Sequence, residues 1–221
     1  MSTRRHSGAA SPGEAPESPG ADQIADLASL EAAEQACRRC PLYRNATQAV
    51  PGQGSIRSRV MLVGEQPGDK EDLTGLPFVG PAGRVLDRAL ADAGIERKTA
   101  FVTNAVKHFK HELRGKKRLH KRPNAHEIDR CRWWLDLERT IVRPKLLVAL
   151  GATAAWSILG RSVTISSLRG APQRCPDGTP LVVTVHPSSI LRIPDDKDRA
   201  AKYRAFVADL RIAAALLKRG A

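Results

Sequence analysis

Four short apolar runs, separated by amphipathic segments, most strongly constrain the fold of this chain. The runs cover residues 59–64, 100–106, 144–151 and 181–187, and they are the length of buried strands. Apolar residues at helical spacing predict helices over residues 24–36, 83–94, 124–142, 152–159 and 196–217. Strands that alternate with helices predict an α/β fold, with three layers (α/β/α) around a central, mostly parallel four-stranded sheet.

Polar segments follow the carboxyl ends of three of these strands. The sequence GEQPG follows the first strand, the basic segment 107–122 follows the second, and HPSS follows the fourth. Open α/β sheets bind their ligands at the carboxyl ends of the strands. We therefore expect the functional site at this edge of the sheet.

The length and composition suit one domain. Of the 221 residues, 42% are hydrophobic, which is enough to build a core. Residues 1–23 are rich in Ser, Gly, Pro, Ala and Glu, so we expect a disordered tail followed by a single domain over residues 24–221. No apolar run reaches about 18 residues, which excludes a membrane-spanning helix. Because the N-terminus also lacks a secretory signal, we expect a cytoplasmic protein.

The positive charge is concentrated in one segment. The chain carries a formal charge of +13, and residues 107–122 hold eight Lys or Arg against one acid. Such a segment favours a polyanion, most commonly a nucleic acid, although a generally basic composition is the alternative. The low aromatic content of 4% argues against a broad platform for stacking single-stranded bases.

Two of the four cysteines form a CxxC pair, Cys37 and Cys40, which suggests metal chemistry in a cytoplasmic chain. Two further ligands would close a four-coordinate site, and Cys131 is one candidate. Cys175 lies in a turn-like segment, where we expect a solvent-facing thiol. If Cys175 is not a ligand, the fourth ligand is one of His108, His111 and His126. Zinc and an iron–sulfur cluster both fit this set of donors.

Four motifs in order resemble the uracil-DNA glycosylase superfamily. They are GEQPGDKEDLTGLPFVGPAGRVLD, VTNAVKHFK, GKKRLHKRP and VTVHPSS. The chain is similar to the iron–sulfur family 4 enzymes and most similar to the UdgX type, over roughly residues 33–210. The resemblance implies a bacterial, monomeric protein that excises uracil from DNA and is nucleoid-associated when bound, with single strands favoured because they need less unstacking.

The resemblance also implies a 4Fe-4S cluster. Family 4 enzymes hold it through a CxxC pair and two later cysteines, and in UdgX proteins a histidine replaces the first of these. Transferred to this sequence, the implied ligands are Cys37, Cys40, His108 and Cys131. We expect the cluster to be structural, since it would tie the N-terminal CxxC pair to the DNA-binding segment.

The implied uracil pocket draws on the GEQPG loop and the residues after it, on the end of the second strand and on HPSS. Phe78 is expected to lie under the flipped base, and the Asn104 amide is expected to pair with uracil and discriminate against cytosine. His186 is expected to donate to the uracil oxygen on which negative charge develops. Gln66, through the backbone of its loop, and Asp69 are expected to complete the pocket.

The same resemblance assigns two further catalytic residues. Glu65 corresponds to the residue that orients an attacking water, and His120 lies in the GKKRLHKRP insertion that marks UdgX proteins. A neutral imidazole is a competent nucleophile, and Glu65 can fix its tautomer. We therefore expect His120 to attack the sugar and stay covalently attached. The residues expected to bind DNA phosphates are Lys116, Lys117, Arg118, Lys121, Arg122, Ser188 and Ser189.

Two alternatives stay open at this point. The first is a conventional family 4 enzyme that lets water complete the reaction and turns over. The second is a non-catalytic, basic DNA-binding protein with a structural metal.

Overall fold

The computed structural model describes residues 24–220, so the tail expected over residues 1–23 lies outside the described residues. The central sheet contains β1 (Val60–Gly64), β2 (Ala100–Asn104), β5 (Leu146–Leu150), β6 (Gln173–Arg174) and β7 (Pro180–Thr184). A separate hairpin contains β3 (His111–Arg114) and β4 (Lys117–His120). The helices are α1 (Leu27–Gln35), α2 (Asp69–Thr74), α3 (Pro81–Ala93), α4 (Ala125–Val142), α5 (Ala152–Leu159), α6 (Ile165–Leu168), α7 (Ser188–Leu191) and α8 (Asp196–Lys218), with 3-10 turns at Pro41–Arg44 and Arg97–Thr99.

The sheet confirms the predicted architecture and adds one strand. Its order is β2-β1-β5-β7-β6, and the first four strands are mutually parallel. The two-residue strand β6, which the sequence pattern does not predict, pairs antiparallel with β7 at the edge. Successive residues of β1 face opposite sides, so Val60 and Leu62 pack with α3 and α8, whereas Met61 and Val63 pack with α4 and α5. These two cores give the three layers.

The chain order creates a crevice between β1 and β5. After β1 the chain passes to β2 on one side, then crosses over to β5 on the other side of β1. This reversal is a topological switch point, where α/β sheets leave an opening beyond their carboxyl ends. Among the described residues, no helix is long and apolar enough to cross a membrane.

The start of the basic segment is buried, although its high charge favours exposure to solvent. Lys107, His108 and Phe109 are buried, and only the later residues form the exposed hairpin β3–β4. Lys107 is accommodated because its Nζ lies 2.7 Å from Glu138 Oε1 and 2.6 Å from Thr103 Oγ1. The start of this segment is therefore part of the core.

Candidate active site

A cavity of about 650 Å³ opens at the carboxyl edge of the sheet, by the crevice between β1 and β5. Loops after β1 and β7 contribute to its wall, together with the last residue of β2 and the end of the hairpin. The cavity thus collects side chains that are far apart in sequence. Eight residues expected at the site line it: Glu65, Gln66, Asp69, Phe78, Asn104, His120, His186 and Ser188.

Glu65 and His120 meet at one side of this cavity. His120 Nε2 lies 3.4 Å from Glu65 Oε1. The other carboxylate oxygen, Oε2, accepts a hydrogen bond of 2.6 Å from Thr153 Oγ1 at the start of α5. Burial and nearby Arg192 lower the pKa of His120, and Glu65 only partly opposes them. At neutral pH the site therefore presents a neutral imidazole beside a fixed proton acceptor.

The surroundings of His186 determine which of its nitrogens carries the proton. Its Nδ1 accepts the backbone N–H of Ser188 at 3.2 Å and lies 2.8 Å from Ser188 Oγ. Arg192 Nη2 donates to that oxygen at 2.8 Å, so the serine hydroxyl is free to donate to Nδ1. Burial lowers the pKa of His186 to about 4. The ring is therefore neutral, with its proton on Nε2.

Phe78 and Asn104 form a compact wall around Gly64. A Cβ on Gly64 would lie 2.3 Å from Asn104 Oδ1 and 2.6 Å from Phe78 Cζ, so only glycine permits this packing. Phe78 holds a left-handed backbone conformation with φ 59°. Gly83 allows it, because a Cβ there would lie 1.6 Å from the Phe78 carbonyl oxygen. Asn104 Oδ1 is buried without a hydrogen-bond partner, so it is an acceptor available to a ligand.

Gln66 lies in the cavity wall, but its side chain anchors the hairpin. Its Nε2 donates to the carbonyls of Lys110 (3.1 Å) and Lys121 (3.0 Å), and its Oε1 accepts from the Lys110 N–H. These bonds clamp the two ends of the hairpin that carries His120. Because its side chain is engaged in this way, Gln66 can contact a base only through the backbone of its loop, as the resemblance implies.

Arg118 is the second anchor of the hairpin. Its guanidinium contacts Asp69 Oδ1 at 2.6 Å and Asp72 Oδ2 at 2.5 Å, and donates to Thr47 Oγ1 at 3.1 Å. This arrangement differs from a free phosphate-binding cation, and it also engages the Asp69 carboxylate expected at uracil. Because its guanidinium is already paired with two carboxylates, Arg118 holds the hairpin against α2.

The other cations expected at phosphates have mixed surroundings. Lys121 Nζ pairs with Glu112 at 2.9 Å, and Arg122 Nε lies 3.9 Å from Glu65 Oε2. Lys116 and Lys117 are exposed at the hairpin turn. Ser188 and Ser189 lie in α7 next to His186, where Ser189 Oγ donates to the His186 carbonyl.

Three of the four expected metal ligands lie together in one apolar cluster. Cys37, Cys40 and Cys131 are buried there, and burial raises the pKa of the Cys40 and Cys131 thiols. Trp134 Nε1 donates to Cys37 Sγ at 3.1 Å, and the Lys107 N–H donates to Cys131 Sγ at 3.2 Å.

His108, the fourth expected ligand, follows Lys107 directly. It is buried, and burial lowers its pKa to about 4, so it is a neutral imidazole. Within residues 24–220, no group of three or more His, Cys, Asp or Glu side chains is arranged around a single ion. By the chemistry of the donors, thiols with N–H groups directed at their sulfurs fit an iron–sulfur cluster.

Cys175 corrects one expectation. It is buried in the core on the α4 and α5 side of the sheet, not solvent-facing as its turn-like sequence indicated. Its backbone does form a turn, because the Gly178 N–H donates to the Cys175 carbonyl. The side chain points inward because the short strand β6 lies beside β7.

Thr153 and Arg192 contact the site residues, although neither was predicted from the sequence. Thr153 lies three residues after the end of β5 and donates to Glu65, and a search of every strand end would have included it. Arg192 lies four residues after Ser188, one helical turn away, and lines the cavity. Neither residue belongs to a motif that reveals its contact.

Comparison with known proteins gives a consistent family. A family model described as the uracil DNA glycosylase superfamily matches residues 51–211. A type-4 uracil-DNA glycosylase of Thermotoga maritima is 38% identical over 157 residues, covering 71% of this chain and 78% of the relative. One of Pyrobaculum aerophilum is 35% identical over 178 residues, covering 76% and 86%. The family model matches most of the chain, and every cavity-lining residue lies within the matched region. The chain therefore belongs to the uracil DNA glycosylase superfamily.

Proposed function

We propose that this protein excises uracil from DNA and becomes covalently attached to the abasic sugar through His120, as in the UdgX type. The observation that carries the proposal is the approach of His120 Nε2 to Glu65 Oε1, at 3.4 Å within the cavity. The relatives of Thermotoga maritima and Pyrobaculum aerophilum are named type-4 uracil-DNA glycosylases, which supports the choice of substrate.

Uracil recognition follows from the donors and acceptors in the cavity. The unpartnered Asn104 Oδ1 accepts the ring N–H of uracil, which cytosine lacks at that position. His186 Nε2–H donates to a uracil oxygen, because its Nδ1 is already occupied by Ser188. The Phe78 ring, with its centre 6.0 Å from that of His186, supplies a flat apolar surface for the base.

The reaction breaks one bond and forms another at the same sugar carbon. The C1′–N1 bond breaks, and its electron pair leaves with uracil while positive charge grows on the sugar. The hydrogen bond from His186 stabilises the charge that develops on the uracil oxygen. The lone pair of the His120 imidazole then forms the bond to C1′, and Glu65 takes the imidazole proton. Uracil is released after protonation from solvent.

The turnover reaction of a conventional family 4 enzyme is the second candidate, and the position of Glu65 favours it equally well. Its carboxylate, held by Thr153, can orient a water toward the same carbon. His120 decides between the two outcomes, since it competes with water for C1′. Without His120 the same pocket would release uracil and then the abasic product.

The covalent step is tested by mixing the protein with a uracil-containing single-stranded oligonucleotide and boiling in SDS. We expect a shifted protein–DNA band with the wild type and none with His120→Ala, which should still release uracil. His126→Ala, an exposed histidine at the start of α4, is the matched control and should retain the band. An undiminished band in His120→Ala would refute the role of His120, and many uracils released per wild-type molecule would establish turnover.

We further propose that Cys37, Cys40, Cys131 and His108 hold a 4Fe-4S cluster. When bound, the cluster would cross-link the CxxC segment to α4 and to the buried start of the basic segment. The protein's own contribution is to bury these ligands and direct N–H groups at two of the sulfurs. We expect about four iron atoms per chain by metal analysis, and loss of iron in Cys131→Ser. A stoichiometric amount of zinc instead would favour the non-catalytic alternative only if uracil release were also absent.

The form of the DNA substrate and the oligomeric state are proposals as well. Lys116 and Lys117 are exposed at the hairpin turn and are available to phosphates, as are the half-buried Ser188 and Ser189. We propose that a monomer acts on single-stranded DNA through one domain formed by residues 24–221. Each phosphate contact to a single strand should contribute about −0.7 to the slope of log affinity against log salt concentration.

A further inference from the structure

A second cavity opens beside the first, between α3, α7 and α8. Its volume is about 520 Å³, and Val85, Ile190 and Tyr203 contribute apolar surface to it. Pro81 and Leu191 line both cavities, so these two side chains form a shared wall. The uracil chemistry does not use this second cavity, which we call the flanking groove.

The polar part of the flanking groove is mainly cationic. Arg84, Arg88 and Arg199 line it together with one carboxylate, Asp196. Because Arg199 pairs with Asp196, the cations that a ligand could meet are Arg84 and Arg88. Both Arg88 and Tyr203 line the groove, with the guanidinium 5.1 Å from the centre of the tyrosine ring, and the Tyr203 hydroxyl donates to Asp92 Oδ2 at 2.6 Å. An apolar wall with a cationic rim fits a ligand that has a flat base and an anionic phosphate.

The helix α7 relates the flanking groove to the uracil site. Ser188, its first residue, lines the uracil cavity, and Leu191, its last, lines both cavities. Leu191 is also 46% exposed, although it is a large apolar side chain. A nucleotide joined to uracil by one phosphodiester would pass over this helix and reach the adjoining groove.

We propose that the flanking groove binds the nucleotide next to uracil in the same DNA strand. Its base lies against Val85, Ile190 and Tyr203, and its phosphate lies near Arg84 and Arg88. The inference rests on the proposed excision of uracil, and it adds a second nucleotide subsite to that site. A bound neighbour would hold the strand while uracil enters the first cavity.

The test measures binding without chemistry. Seven-nucleotide single strands carry a central 2′-fluoro-2′-deoxyuridine, which resists excision, and binding is followed by fluorescence anisotropy. In two further strands, a tetrahydrofuran abasic analogue replaces the base on the 5′ or the 3′ side. We expect loss of one neighbouring base, but not the other, to weaken wild-type binding roughly tenfold, the size of one base–aromatic stacking contact.

Two variants show where that base binds. In Tyr203→Ala the sensitivity to the neighbouring base should fall below about twofold, because the base contact is lost in the protein as well as in the DNA. Arg84→Glu should have the same effect, because its negative charge repels the phosphate that holds this nucleotide in the groove. Tyr43→Ala, at the other tyrosine of the chain, and Arg57→Glu, before β1 at the opposite edge of the sheet, should keep the wild-type sensitivity. Arg84 is exposed, so its replacement leaves the core intact even if Tyr203→Ala does not fold.

Equal sensitivity in the wild type and in both groove variants would overturn the proposal, as would a wild type that tolerates loss of either neighbour. Uracil release is measured separately on strands with ordinary deoxyuridine. Absence of release with intact neighbour sensitivity would refute the excision of uracil but leave the subsite in place.

Discussion

Two histidines line the same cavity, and their neighbours give them different chemistry. His186 is bonded at Nδ1 by its own loop, which fixes a donor at Nε2. His120 instead faces the Glu65 carboxylate, which suits a group that loses a proton as it attacks. Burial lowers the pKa of both imidazoles, so both are neutral at pH 7. The difference in role therefore comes from hydrogen-bond partners, not from charge.

The lowered pKa of His120 predicts how adduct formation depends on pH. Protonation removes the attacking lone pair, so the rate should be constant above pH 6.5 and fall only once the pH drops below the lowered value. His186 loses its neutral form only near pH 4, at the acid end of the same range. Single-turnover adduct formation between pH 4 and pH 8 measures this profile.

Glu65→Gln should change both parts of that profile. The carboxylate raises the pKa of His120, so its removal should move the acid limb to lower pH. The plateau rate should fall about 100-fold, because no base takes the imidazole proton. A shift of the acid limb to higher pH would show that Glu65 does not raise the pKa of His120.

The hairpin β3–β4 shows how an element can depend on tertiary contacts. Its strands read HELR and KRLH, without the apolar alternation of a buried strand. The hairpin is stabilised from outside by Gln66 at its ends and by Asp69 and Asp72 of α2, which pair with its Arg118. Sequence pattern predicted a basic segment here but not its conformation, because the anchoring residues belong to other parts of the chain.

Gln66→Ala should loosen this hairpin and shift the outcome of the reaction. We expect faster amide hydrogen exchange over residues 111–120, since the clamp between Lys110 and Lys121 is lost. The yield of adduct should drop severalfold while uracil release continues, because the cavity residues outside the hairpin stay in place. Gln48→Ala is the control, since its amide donates to the end of α2 and not to the hairpin. Unchanged exchange and unchanged adduct yield in Gln66→Ala would show that the bonds from Gln66 do not hold His120 in place.

Across the whole molecule, a buried ionic network links the sheet to α1 and α4. Lys107 is fully buried and lies 2.7 Å from Glu138 and 3.7 Å from Glu34. Burial opposes the charge of Lys107, but Glu138 and Glu34 outweigh it and raise the pKa of the lysine. Burial raises the pKa of Glu34 well above its ordinary value, and Glu138 makes the shorter contact with the lysine.

Lys107→Met should destabilise the protein strongly. The substitution leaves the Glu138 carboxylate buried without its cation, which costs about 3–5 kcal/mol of unfolding free energy. Chemical denaturation of the variants measures this loss. The double variant Lys107→Met with Glu138→Gln should recover much of it, because the uncompensated charge is removed. A single variant as stable as the wild type would show that the network does not contribute to folding.

The chain's pattern was sufficient to determine the four parallel strands, the major helices and the edge of the sheet that carries the site. These features depend on local periodicity and on where each strand ends, and both can be found in consecutive residues. Tertiary structure alone decided the burial of Lys107 and Cys175, the pairing of Arg118 with two aspartates, and the contact between Thr153 and Glu65. Each of these depends on a partner from a distant segment, whose position exists only once the layers have packed.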